Sequence, residues 1–181
     1  MGLLDDQNLK NIHSKMIDYL ADGDMAEKRL VDRIVRLRLR YLDSKRYIGY
    51  TAENAKLVIP LLREEGYVNE ERYAHNLFEN LKDKKDGLRS IKRKMLHRQI
   101  KPEIVTAIME EFEESGRTLD LTKIRALAKA KLARLNEKYG SDRVKKYQIR
   151  GKMYAWLSTR GYGPAEIAEI LKADNLLEIE E

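Results

Sequence analysis

A chain of 181 residues with 43% hydrophobic side chains can bury a core, which excludes a globally disordered protein. Its 36 Lys and Arg against 30 Asp and Glu leave a net charge of +6, a modest excess that attracts phosphate only where it is locally concentrated. The absence of cysteine excludes a disulfide framework and thiolate zinc sites, and 10 Gly with 3 Pro are too few turn markers for a many-stranded protein.

Met1 to Asp6 lack the basic flank and apolar stretch of a signal peptide, and no apolar run approaches the ~20 residues that span a bilayer. A cytoplasmic chain without a membrane anchor is therefore expected. Beyond Asp22-Gly23, Asp24 is a candidate helix cap, with Glu27 in capping-box position. Leu30, Ile34, Leu37 and Tyr41 then recur at one-turn intervals, with Arg29, Arg33, Arg36, Arg38 and Arg40 between them. Thr51 is the next plausible cap, opening a helix through Leu57, Val58, Leu61 and Leu62 that stops at Gly66; Pro60 inside it must kink or break it.

Asn69 caps the following helix, whose first turn holds Glu70 and Glu71, where carboxylates suit the helix dipole. Tyr73, Leu77, Phe78 and Leu81 supply its buried face. Leu88, Ile91, Met95 and Leu96 form another stripe, in a helix loaded with Arg89, Lys92, Arg93, Lys94 and Arg98. Pro102 suits the first position of a helix carrying Ile104, Val105, Ile108 and Phe112, which ends in the acidic segment Glu110 to Glu114 before Gly116. Ile124, Leu127, Ala128, Leu132 and Leu135 line the next, with Gly140 beyond it. Val144, Ile149, Met153, Trp156 and Leu157 line another, bounded by Gly161, and Gly163-Pro164 opens a short last helix holding Ile167, Ile170 and Leu171.

The fold class expected is all-α, with a repeat of roughly 50 residues. Leu96 through Pro102-Glu103-Ile104 matches Leu157 through Pro164-Ala165-Glu166-Ile167 in plan: a basic helix, a turn, Pro at the next helix start, then Glu and Ile. The expected units are 9–66, 67–116 and 118–173, followed by an acidic tail at 174–181 that frays; the first is looser because Tyr41 to Tyr50 is inserted. Each unit alone is small, so neighbours are expected to share apolar surface and stack into an elongated, curved body with long grooves.

Glu64-Glu65-Gly66-Tyr67-Val68-Asn69-Glu70-Glu71-Arg72-Tyr73-Ala74 resembles the Gly-Tyr-Leu-Asp-Asp-Glu-Arg-Tyr-Ala signature of the RecX family of bacterial regulators. Lys145 to Lys152 followed by Leu157-Ser158-Thr159-Arg160-Gly161-Tyr162 resembles that family's C-terminal repeat, where a basic helix runs into an Arg-Gly-aromatic turn. The resemblance runs from Ile12 to Leu171 in the same order. Two places depart from it. Asp86-Gly87-Leu88-Arg89-Ser90 replaces the usual Gly-aromatic-Gly/Ser turn, and Gln99 stands where Gly is common. The resemblance implies three tandem three-helix repeats and a protein that lodges along the RecA filament groove, inhibiting or tuning RecA in DNA repair and recombination.

Charge is segregated along the chain. Arg29 to Arg46, Lys82 to Lys101 and Lys123 to Arg160 are basic, and acidic blocks separate or follow them. One-turn spacing brings together Arg36 and Arg40, Arg89 and Arg93, and Lys94 and Arg98; Lys92 lies among them, and Lys145, Lys146, Arg150 and Lys152 cluster in the last unit. Such rows can neutralise a phosphate track, and engaging ~6 phosphates makes affinity fall about 10³-fold over a fourfold rise in salt. Taken singly, each cation equally well solvates the outer face of its helix.

Tyr41, Tyr47 and Tyr50 flank the first basic helix, and Tyr147 and Tyr154 sit in the last. They can stack on exposed bases or simply cover helix seams. Trp156 reads as core, and Gly66 and Gly161 as left-handed helix ends. His13, His75 and His97 are scattered, no phosphate-cradling Gly-rich loop is present, and Glu70, Glu71 and Glu110 to Glu114 suit cap and helix-end positions. No catalytic site, cofactor or metal is expected. The partners expected are the RecA filament and the single- or double-stranded DNA within it, met by a monomer. The alternative is a direct nucleic-acid binder using Leu88–Leu96 and Ile104–Phe112 as a helix-turn-helix.

Overall fold

The computed structural model describes residues 3–139 and 143–172, at residue 3 and over 143–147 through the backbone alone. Among the described residues every regular element is helical: α1 (Gln7–Ala21), α2 (Glu27–Arg40), α3 (Ala52–Glu64), α4 (Glu70–Lys82), α5 (Leu88–His97), α6 (Pro102–Glu114), α7 (Thr122–Tyr139), α8 (Arg143–Thr159) and α9 (Pro164–Lys172). The acidic tail at 174–181, Gly140 and the side chain of Val144 lie outside the described residues.

Local chemistry accounts for most helix starts. Asp6 accepts from the Asn8 and Leu9 amides at 2.7 and 3.3 Å, Thr51 Oγ1 from the Asn54 amide at 3.2 Å, and Asn69 Oδ1 from the Arg72 amide at 2.8 Å. Pro102 and Pro164 open α6 and α9, where the missing N–H costs nothing. Asp24, in contrast, caps nothing. Ala26, with no side-chain acceptor, occupies the N-cap of α2, and Glu27, at the first helical position, turns inward to a more distant partner. Pro60 does not break α3, which runs on to Glu64; it sits exposed, while buried Val58, Ile59 and Leu62 hold the helix across it.

The described chain forms two compact units. One comprises the residues up to Asn76 with Met95–Thr106, the other Leu77–Lys94 with the described residues from Ala107 on. In the first, α1, α2 and α3 pack pairwise around Ile12, Met16, Leu30, Ile34, Val58 and Leu62, all fully buried. Each such side chain is worth about 1.5–3 kcal/mol over its exposed state. In the second, α7, α8 and α9 pack pairwise around Ile124, Met153, Leu157 and Ile170, and Phe78 meets Phe112 edge-on at 5.3 Å. Trp156 is not core. It is half-buried, with the Arg160 guanidinium 4.8 Å above its ring, because the α8 stripe of Ile149, Met153 and Leu157 already fills the inner face.

Two turns depend on particular residues. Gly87 donates its N–H to the Arg160 carbonyl at 2.9 Å, and the Arg89 N–H reaches the Gly161 carbonyl at 3.2 Å. Gly161 is left-handed at φ 89°, and a Cβ there would lie 2.2 Å from the Ser90 nitrogen; one on Gly87 would lie 2.4 Å from the Gly161 oxygen. Neither glycine leaves room for a side chain without moving the turn. Gln99 adopts φ 65°, a cost borne for its side chain, whose Nε2 donates to Asp32 Oδ2 at 2.6 Å.

Candidate functional site

The candidate cations fall on three helices and differ in how free they are. On α2, Arg29, Arg36 and Arg40 share one outward stripe by helical geometry; Arg36 and Arg40 are exposed and Arg29 half-buried. Arg33, at its edge, lies 4.3 Å over the Tyr19 ring. On α5, Ser90, Ile91 and Met95 face inward, leaving an outer arc of Arg89, Lys92, Arg93, Leu96 and His97. Arg98 follows in the turn, also exposed. Among the described residues no carboxylate pairs with Arg36, Arg40, Arg89, Lys92 or Arg98, and the nearest polar partner of Arg93 is Ser90 Oγ at 3.4 Å.

Lys94 is the exception on α5. It sits at the margin of the buried face and is held by Asp86 at 2.5 Å, so its charge is already matched by a carboxylate. On α8, Arg150 is exposed beside Tyr154, whereas Lys152 donates to Gln148 Oε1 at 2.8 Å and lies 4.9 Å over the Tyr139 ring. Lys145 and Lys146 open α8, and their side chains, like that of Tyr147, lie outside the described residues. The tyrosines flanking α2 divide. Tyr50 is buried, its hydroxyl donating to the Asn11 carbonyl at 3.3 Å, while Tyr41 is 46% exposed.

A cluster that sequence periodicity missed lies in the first unit. Buried Glu27 accepts Arg63 in bidentate fashion at 2.5 and 2.6 Å and Lys101 Nζ at 2.8 Å. The Lys101 N–H in turn donates to Glu70 Oε1 at 3.0 Å, so one lysine bridges two buried carboxylates. Burial pushes the Glu27 carboxyl up, but the hydrogen bonds and charges of Arg63 and Lys101 outweigh it and hold the group below its ordinary value. The only sequence signal was Glu27 at a capping-box position, which pointed to a local partner. Beside the cluster, α2 and α3 flank a groove of about 520 Å³ floored by Val31, Ala52, Ile59 and Pro60. On its rim Arg63 and Lys101 are paired with Glu27, and Asp32 accepts from Gln99.

A pH dependence follows. Because the folded pKa of Glu27 lies below the unfolded one, its stabilisation is complete above the unfolded value of about 4.3 and is lost as pH falls through the folded value. Arg63 and Lys101 are each about half exposed, so the loss on Glu27→Gln is set at about 2 kcal/mol rather than the 3–5 of a fully buried pair. Urea midpoints of the two proteins should differ accordingly at pH 7 and converge as pH falls below the ordinary carboxylate range. A gap that stays constant over that range would show that the carboxylate charge is not what binds Lys101 and Arg63.

His13 Nε2 lies 2.6 Å from Glu65 Oε2, and no three potential metal ligands come together among the described residues. No described helix is long and apolar enough to cross a membrane.

No family model and no curated protein sequence matches the chain. Solved structures do. The chain is similar to the crystal structure of RecX from Lactobacillus salivarius, with 19% identity and a TM-score of 0.65 over 94% of this chain and 99% of that one. It is also similar to a crystal structure of regulatory protein RecX, with 17% identity and a TM-score of 0.62 over 91% of this chain and 73% of the other. At these identities the likeness speaks for the backbone alone, and on that ground the nine described helices, in this order, make a RecX-like fold.

Proposed function

We propose that the chain is a regulator of RecX type that binds the RecA–DNA filament and inhibits or tunes RecA in recombination and repair. The observation that carries this reading is the unpaired basic arc of α5, Arg89, Lys92 and Arg93, on a RecX-like backbone. A row of cations one helical turn apart, without carboxylates to neutralise it, suits a continuous polyanion better than a small ligand. Arg36 and Arg40 on α2 and Arg150 on α8 add to it, and Lys145 and Lys146 belong to the same proposal. In this reading the units 9–66, 67–116 and 118–173 are three-helix repeats stacked into an elongated body, and the protein works in the cytoplasm as a monomer without catalysing a reaction.

The purified chain should lower the DNA-dependent ATPase and strand exchange of RecA at near-equal or lower ratios. Unchanged ATPase at low salt would remove the reading. The helix-turn-helix alternative is disfavoured by α6, its would-be second helix, which exposes Glu103, Glu110, Glu113 and Glu114 and so repels phosphate.

A further inference from the structure

The last turn of α2 and the segment joining it to α3 carry the most exposed large apolar side chains of the first unit: Leu39 at 63%, Leu42 at 60% and Ile48 at 58%. Such a patch calls for a ligand. Its charge narrows the choice, for Arg36, Arg38, Arg40, Lys45 and Arg46 surround it against a single acid, Asp43. Within it three tyrosines form a ladder. Tyr50 is 3% exposed and anchored to the Asn11 carbonyl; Tyr47 meets it edge-on at 5.0 Å; Tyr41 stacks on Tyr47 at 5.3 Å with an interplanar angle of 26°. Arg38 donates to the Leu42 carbonyl at 2.5 Å, which ties the chain leaving Tyr41 back to α2.

We infer that Tyr41 is a stacking platform for an unpaired nucleobase, and that the 36–48 segment is a single-strand contact site. The ladder holds the outermost ring in place before any ligand arrives, so little rotamer entropy remains to be lost on binding. One face of Tyr41 is occupied by Tyr47, and 46% of the residue remains accessible. A flat, apolar, anionic-backed ligand matches that surface: a base over the ring, its sugar against Leu39 or Leu42, and its flanking phosphates near Arg40 and Arg46. A duplex keeps its base faces stacked inside, so the site discriminates against it. The inference deepens the proposed contact with filament DNA and rests on that reading only in sharing its ligand.

The test measures anisotropy of a labelled oligothymidylate and of a duplex, with the full chain and with Tyr41→Ala and Tyr41→Phe. Tyr41→Ala should weaken single-strand binding about tenfold, the scale of one base–aromatic stack, and leave duplex binding unchanged. Tyr41→Phe, which keeps the ring, should bind as the unaltered chain does. Circular dichroism checks that the fold is retained. Equal single-strand binding by Tyr41→Ala overturns the inference. So does a loss confined to vesicles of phosphatidylserine and phosphatidylcholine, or to RecA filaments, which would make the patch a membrane or protein contact. RecA ATPase run in parallel separates the two readings. Inhibition without Tyr41-dependent strand binding sinks this inference alone, and Tyr41-dependent binding without inhibition sinks the regulatory reading alone.

Discussion

Gly161→Ala should lower the thermal midpoint by roughly 10 °C, read by circular dichroism. The residue sits at φ 89°, where a Cβ costs about 1–2 kcal/mol. The added carbon would also meet the Ser90 backbone nitrogen at 2.2 Å, a neighbour that cannot swing aside, and overpacking of this kind costs about 1–3 kcal/mol more. A sum of about 3 kcal/mol converts to the stated shift for a chain of this size. Relief by moving the turn would break the Gly87–Arg160 and Arg89–Gly161 backbone bonds. Gly151→Ala is the matched control. Gly151 lies inside α8, exposed, with nothing within 4 Å of the place an added methyl would take, so alanine there should be neutral or stabilising by up to about 1 kcal/mol. Equal behaviour of the two substitutions would refute the close-approach account of the Arg-Gly-aromatic turn.

The second large effect is electrostatic. Simultaneous Lys92→Glu, Arg93→Glu and Arg98→Glu turns an unpaired basic surface acidic and takes the net charge from +6 to 0. A direct helix-turn-helix binder should lose its duplex binding altogether, whereas a filament modulator, which draws on protein contacts as well, should only weaken. Changing the same three residues to Gln, a milder set, should reduce the slope of log affinity against log salt by about 3. An unaltered slope would mean that these cations merely solvate the helix. Lys94→Gln is an internal contrast, since its ammonium is already committed to Asp86 and should contribute little to that slope.

The helices from α2 on could be read in chain order because their signals are local, whereas α1, capped by Asp6, is not assigned from the sequence. Thr51, Asn69, Pro102 and Pro164 act on amides within three residues of themselves, or need none, and the apolar stripes at one-turn spacing name most of the buried faces, although Tyr41, Leu57 and Leu96, read as part of them, are exposed. The α5 arc was readable for the same reason. Asp24 misled because Glu27 satisfies its charge 36 and 74 residues away, at Arg63 and Lys101. Trp156 misled because three aliphatic residues on its own helix fill the inward face first. Helical spacing could not tell Lys94 from Lys92, since only the position of Asp86 distinguishes a paired ammonium from a free one.

Periodicity and end signals, then, suffice for an all-helical chain with basic outer faces, because backbone hydrogen bonding and helical angle are set within a few residues. Packing alone decides which charges cancel, which glycines tolerate no side chain, and which of three tyrosines stays open to a ligand. Those outcomes depend on groups that lie tens of residues apart in the chain and a few ångströms apart in space.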